Sequence, residues 1–235
     1  MKYKAILFDM DGTLLPMDMH HFSKNYFKLL YLKLAKYGLD PNTFADNIWA
    51  SVAAMVKNDG SKSNEKVFWD KFEELTGVSY ETAGSDCNDF YGNEFHQAKA
   101  FTSDNPLAKE AVTIAREKAN LVVLSTNPLF PMVGQESRMS WVGLTPDDFD
   151  LVTSYESDSY CKPNPKYFTS IFERIGCKPS ECLLIGNDEN EDMYAGSQTG
   201  MDCYLVTDCL EADENHPWTG PRGSFSEMIQ MLKNL

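Results

Sequence analysis

The sequence predicts an α/β fold: a doubly wound parallel sheet with a helical block inserted after its first strand. Three observations carry this. Short apolar runs of strand length, KAILF, LVVL, CLLI and CYLV, lack the alternation of a half-buried strand, which is the pattern of strands covered on both faces. From Pro106 onward these runs alternate with helical patterns, and repeated strand–helix–strand units imply parallel pairing. Finally, the first run stands alone, followed by a long stretch of helical periodicity from His20 to Ala100.

Taken in order, Lys4–Phe8 is a buried first strand, ended by Asp9, Met10, Asp11 and Gly12. Phe22, Tyr26, Leu29, Leu30 and Tyr37 make one helical stripe before Gly38. Phe44, Ile48, Val52, Met55 and Val56 make a second before Gly60, and Phe68, Phe72 and Leu75 a third. These aromatic stripes read as helix core rather than as a substrate box. A helix follows Pro106 as far as Lys118, and the strand Leu121–Leu124 comes next. After it come a short strand at Leu151–Thr153, a helix at Pro165–Ile175, a strand at Cys182–Ile185, a helix at Glu191–Thr199, a strand at Cys203–Val206 and a terminal helix at Phe225–Leu232. Residues 1–16 and 101–235 then form the α/β core, and residues 17–100 the insert.

With 235 residues, 43% hydrophobic and 24% charged, the chain has an ordinary globular composition. Its net charge of −14 repels nucleic acid, and Lys and Arg nowhere cluster as a phosphate-binding patch. No apolar stretch approaches the roughly 18 residues of a membrane helix, and the start of the chain is not a signal peptide. Six cysteines without a Cys-x-x-Cys pair or zinc spacing suit reduced thiols in the cytoplasm.

In open parallel sheets the ligand lies beyond the carboxyl ends of the strands. There the sequence places Asp9 and Asp11 after the first strand, Ser125, Thr126 and Asn127 after LVVL, and Asn187, Asp188 and Asp192 after CLLI. Lys162 precedes the helix leading to that last strand. Asp9 and Asp11, two apart on extended chain, point the same way. Together with Asp188 and Asp192 they crowd up to four acids into one crevice, which a cation must relieve. Without His or Cys nearby, Mg²⁺ suits these oxygen donors. A metal, a lysine, a hydroxyl and a carboxylate nucleophile are the parts of phosphoryl transfer through an acyl phosphate.

At this point the sequence resembles the haloacid dehalogenase superfamily. DMDGT at Asp9–Thr13 is similar to that family's first motif, LVVLSTN to its second, Lys162-Pro163 to its third and IGNDENED to its fourth, in the family's order. The helical insert resembles the family's C1 cap, and the core a Rossmann-like sheet. The resemblance implies Asp9 as nucleophile and Asp11 as general acid and base. It also implies Mg²⁺ on Asp9, the main-chain carbonyl of Asp11 and Asp188, with Asp192 as an outer or second ligand. Thr126, Asn127, Lys162 and the main-chain N–H groups around Met10 would hold the phosphoryl oxygens. One departure is Asn187, which follows Gly186 where the family usually carries Asp, so either Asn187 or Asp188 is the metal ligand.

The implied activity is hydrolysis of a small phosphorylated metabolite. A phosphomutase on the same fold, or a phosphorylatable receiver domain from a different class, are the alternatives. The segment Lys57–Asn64 reads as a loop whose Lys57 or Lys62 reaches the leaving group.

Overall fold

The computed structural model describes residues 1–235. Six strands form one sheet: β1 (Ala5–Phe8), β2 (Leu121–Leu124), β3 (Leu151–Val152), β4 (Cys182–Gly186), β5 (Asp202–Val206) and β6 (Arg222–Gly223). Their order is β3-β2-β1-β4-β5-β6, and every pairing is parallel. The two-residue β6 is too short to leave a pattern in sequence.

Period-two alternation divides the core into two layers. Ile6 and Phe8 of β1 point to one face, where α5 (Ala108–Lys118) packs through Ala111, Val112 and Ala115. There α9 (Phe225–Lys233) also packs, through Met228, Ile229 and Leu232. Ala5 and Leu7 point to the other, against Tyr167, Phe168, Ile171 and Phe172 of α7 (Pro165–Ile175). The boundaries of α7 follow local chemistry. Asn164 caps its N-terminus by accepting from the Lys166 N–H, Pro165 occupies the first turn, and Gly176 ends it in the left-handed region.

Between β1 and α5 the chain forms α1 (Met19–Leu34), α2 (Phe44–Val56), α3 (Asn64–Thr76), α4 (Tyr80–Gly92) and a 3₁₀ stretch at Glu94–Phe101, with no strand of the sheet. Departure and return lie side by side, joined by an antiparallel bridge between Met17 and Thr102. Helix α3 is bounded by a Ser63 cap accepting from the Lys66 N–H and by left-handed Gly77.

Two elements differ from expectation. A helix α6 (Met132–Trp141) follows β2, where the sequence shows no apolar stripe, because its buried face includes Gln135, Ser137 and Arg138. The helix expected at Glu191–Thr199 is instead a wide π-helical turn, Glu189–Tyr194, followed by the short α8 (Ala195–Ser197). No helix is long and apolar enough to cross a membrane.

Candidate active site

Register sets the site. Phe8 pairs with Leu124 on one side and Ile185 on the other, so β1, β2 and β4 end level and deliver Asp9, Ser125 and Gly186 to one rim. The Asp9 N–H still donates to the Ile185 carbonyl at 2.9 Å, which fixes the start of the following turn. That turn closes when the Leu15 N–H donates to the Met10 carbonyl at 2.8 Å. Gly12 sits in it at φ 82°. A Cβ there would come 2.2 Å from Asn187 Nδ2, so conformation and contact both require glycine. The main-chain N–H groups of Met10 and Asp11 find no acceptor in the protein, while the Met10 side chain is fully buried.

Lys162 is the hub. Its side chain is 1% exposed, with Nζ 2.7 Å from Asp9 Oδ1 and 2.6 Å from Asp192 Oδ1. Burial alone would pull its pKa down, but the charges of Asp192 and Asp9 outweigh it and hold the ammonium protonated. Burial pushes the Asp9 carboxyl up to about 7, Lys162 opposing and Asp192 and Asp11 adding to the rise. Glu191 is pushed to about 8, by burial and then by the charge of Asp188. Asp188 is also raised, by burial, against hydrogen bonds from the main chain.

Both oxygens of Asp192 are engaged. Oδ1 accepts from Lys162, and Oδ2 accepts from the N–H groups of Asn187 at 3.1 Å and Asp188 at 3.2 Å. Of its two expected places, outer or second metal ligand, these bonds suit the outer one: it orients Lys162 and ties down the turn after β4. The Asn187 carboxamide is occupied too, accepting from the Thr13 hydroxyl at 2.9 Å and donating to the Cys209 carbonyl at 2.8 Å. Asp188 uses Oδ1 to cap the N–H groups of Asn190 and Glu191, both at 2.7 Å.

The structure also brings in residues that the sequence did not reveal. Arg138, wholly buried on α6, donates to Asp11 Oδ2 and to Gln135 Oε1, and its guanidinium lies 4.1 Å from the centre of the Phe130 ring. The other Asp11 oxygen, Oδ1, has no partner. Glu191 accepts from Asn127 Nδ2 at 2.8 Å, and Asn127 Oδ1 accepts from the Lys162 N–H at 3.3 Å, so the ends of β2 and β4 and the Lys162 loop are laced together. The Thr126 hydroxyl is buried and unpartnered.

Asp9, Asp11, Asn127, Asp188, Glu191 and Asp192 open onto one cavity of about 840 Å³, which extends among α1, α2 and α3. Tyr26, Phe68 and Phe72 from the aromatic stripes line it, with their neighbours Phe27 and Trp69, so these side chains serve the cavity as well as the core. Lys57, at the C-terminus of α2, lines it; Lys62 does not, its Nζ lying 2.8 Å from Asp70 on the surface. Nor is Lys57–Asn64 a free loop. Asn58 Nδ2 donates to the Lys62 carbonyl and to Asn64 Oδ1, each at 2.9 Å, and the Asn64 N–H donates to the Asp158 carbonyl at 2.8 Å.

No three carboxylate, His or Cys side chains converge as a preformed cage. The donor chemistry nonetheless suits a hard divalent cation. At the rim the charged donors are carboxylate oxygens: Asp9 and Asp192 pair with Lys162 and Asp11 with Arg138, while Asp188 and Glu191 pair with no cation. Asp11 Oδ1 is unspent.

The comparisons agree with this geometry. A family model described as haloacid dehalogenase-like hydrolase matches residues 3–200. The chain is 25% identical to a ribulose-1,5-bisphosphate 5-phosphatase of Halopiger xanaduensis, over 89% of this chain and 87% of that protein. Its fold is similar to that of a 2-haloacid dehalogenase of Pseudomonas syringae, with a TM-score of 0.64, 17% identity and coverage of 99% of both chains. It is also similar to a HAD family enzyme of Bacteroides thetaiotaomicron solved in complex with magnesium and inorganic phosphate, with a TM-score of 0.51, 18% identity and coverage of 91% of this chain and 98% of that one. With 198 consecutive residues under the family model, and with Asp9, Lys162 and the acidic turn after β4 gathered at one rim of the sheet, the chain belongs to the haloacid dehalogenase-like hydrolases.

Proposed function

We propose that the protein is a Mg²⁺-dependent phosphatase that hydrolyses a small phosphorylated metabolite through an aspartyl phosphate on Asp9, with residues 17–100 acting as its cap. The observation that carries this is the buried chain Asp9–Lys162–Asp192, with Asp11 two residues beyond the nucleophile on the same turn. An enzyme that attacks carbon needs no acid there; one that expels an alkoxide from phosphorus does. The six unpaired cysteines suit a reducing compartment, and we assign the cytoplasm.

In this mechanism an Asp9 oxygen attacks phosphorus in line while Asp11 gives a proton to the departing alcohol oxygen. Asp11 then takes a proton from water as that water attacks the phosphorus of the aspartyl phosphate, releasing phosphate and restoring Asp9. Arg138 holds Asp11 through Oδ2, and the unpartnered Oδ1 is the oxygen that carries the proton in either step. Lys162, the Thr126 hydroxyl and the free N–H groups of Met10 and Asp11 bind the phosphoryl oxygens. Mg²⁺, when bound by the Asp9 and Asp188 carboxylates and the Asp11 carbonyl, supplies the positive charge that lets two anions meet.

Two experiments test these roles. Asp11→Asn should still release a leaving group that needs no proton, such as 4-nitrophenol, in a single burst, and then turn over at least about a hundredfold more slowly. Equal loss with activated and unactivated esters would remove Asp11 from acid–base work. For the metal, Asp188→Ala should abolish the thermal stabilisation given by Mg²⁺, whereas Asn187→Ala should lower basal stability and retain that response. The reverse order would make Asn187 the ligand.

A further inference from the structure

We infer that the alcohol part of the substrate is uncharged and mainly apolar, and that it carries a hydrogen-bond acceptor at the end remote from the phosphate. The inference rests on the phosphatase reading and names the class of leaving group that the site takes. A cavity of about 840 Å³ is far larger than a phosphoryl group needs and lies within the roughly 300–1,000 Å³ of sites that enclose an organic ligand. Beyond the carboxylates its wall is mainly apolar, with Phe27, Leu30, Ile48, Val52, Phe72 and Leu129 among the lining residues.

Charge excludes the commoner alternatives. Lys57 is the one lysine or arginine among the lining residues, and it is exposed at the end of α2. Asp18 and Glu211 add negative charge to the lining. A second phosphate or a carboxylate on the leaving group would find Lys57 as its one lysine or arginine partner, at the exposed end of the cavity, and no cation along the apolar wall, where an unpaired charge is strongly disfavoured. A bare hydrocarbon does not complete the fit either. Trp69 and Tyr155 are both 96% buried and both line the cavity, and the Trp69 indole N–H is turned to the Tyr155 hydroxyl oxygen, which leaves the phenolic O–H as a buried donor with no acceptor. Buried donors are normally satisfied. An ether or carbonyl oxygen on the ligand would accept from it.

The test uses the intact chain with Mg²⁺ and three phosphate donors: 6-methoxy-2-naphthyl phosphate, 2-phosphoglycolate as the doubly anionic probe, and acetyl phosphate as a small one. The naphthyl ester should exceed 2-phosphoglycolate in kcat/KM by at least about a hundredfold. Val52→Phe, which fills the wall, should lower kcat/KM for the naphthyl ester at least about tenfold and leave acetyl phosphate within about twofold.

A second measurement needs no turnover. 6-Methoxy-2-naphthol should quench tryptophan fluorescence more tightly than 2-naphthol, and Trp69→Phe with Tyr155→Phe should erase that difference. Equal or better turnover of 2-phosphoglycolate, or equal binding of the two naphthols, would overturn the inference. If acetyl phosphate is not hydrolysed while the methoxynaphthol still binds preferentially, the phosphatase reading falls and the cavity assignment stands.

Discussion

Asp9→Asn is expected to reduce phosphate release by at least about a thousandfold while leaving the fold intact, because an amide cannot become an acyl phosphate. The stability half of this expectation follows from burial. The Asp9 carboxyl is raised to about 7 from an ordinary 3.8. For an acid raised in the folded state, the unfolded chain ionises first. The contribution of Asp9 to stability is therefore greatest at low pH and is lost as pH climbs from about 4 to about 7. An asparagine carries no such penalty and keeps an oxygen for Lys162. Without metal at pH 8, the variant should melt at or above the temperature of the parent. A variant that melts well below the parent would show that Asp9 holds the fold together, and residual turnover above a tenth would remove it as nucleophile.

Lys162→Met has the opposite signature. Its ammonium is the shared partner of Asp9 and Asp192, and the Lys162 and Asp192 side chains are each 1% exposed. Removing it leaves two buried carboxylates facing each other, a change that costs about 3–5 kcal/mol. Chemical denaturation should show that loss. Adding Asp192→Asn should recover a large part of the stability without restoring catalysis, since the phosphoryl oxygens still lack their cation. If the double variant is no more stable than the single one, Lys162 acts through packing rather than through charge.

What the sequence made legible was what a regular period or a strand end announces. KAILF, LVVL and CLLI are short, wholly apolar and followed at once by polar residues, so both the sheet and the rim bearing Asp9, Thr126 and Asp188 could be read directly. Helix α7, expected at Pro165–Ile175, is found over those residues. Arg138 escaped for a physical reason. Its helix buries Gln135, Ser137 and the arginine itself, so no apolar stripe marks α6 and nothing ties residue 138 to Asp11 before the chain is folded. The aromatic stripes of the insert were visible, but periodicity reports that a face is buried and not whether protein or ligand covers it. Lys62 looked like a contact to the leaving group because composition does not tell where a long side chain finds its partner, here Asp70.

The sheet order has a consequence for biosynthesis. Strand β1 is made first, yet its neighbours are β2 and β4, so the strand carrying the nucleophile gains its second flank only once residue 185 has been made. At roughly 5–20 residues per second, that interval lasts on the order of 10–35 s, during which the helices of residues 19–92 can form from local contacts alone. The insert therefore gathers on the ribosome before its platform exists. A chain interrupted at any point short of β4 carries Asp9 without Asp188 or Asp192, so no product that stops there brings these acids together.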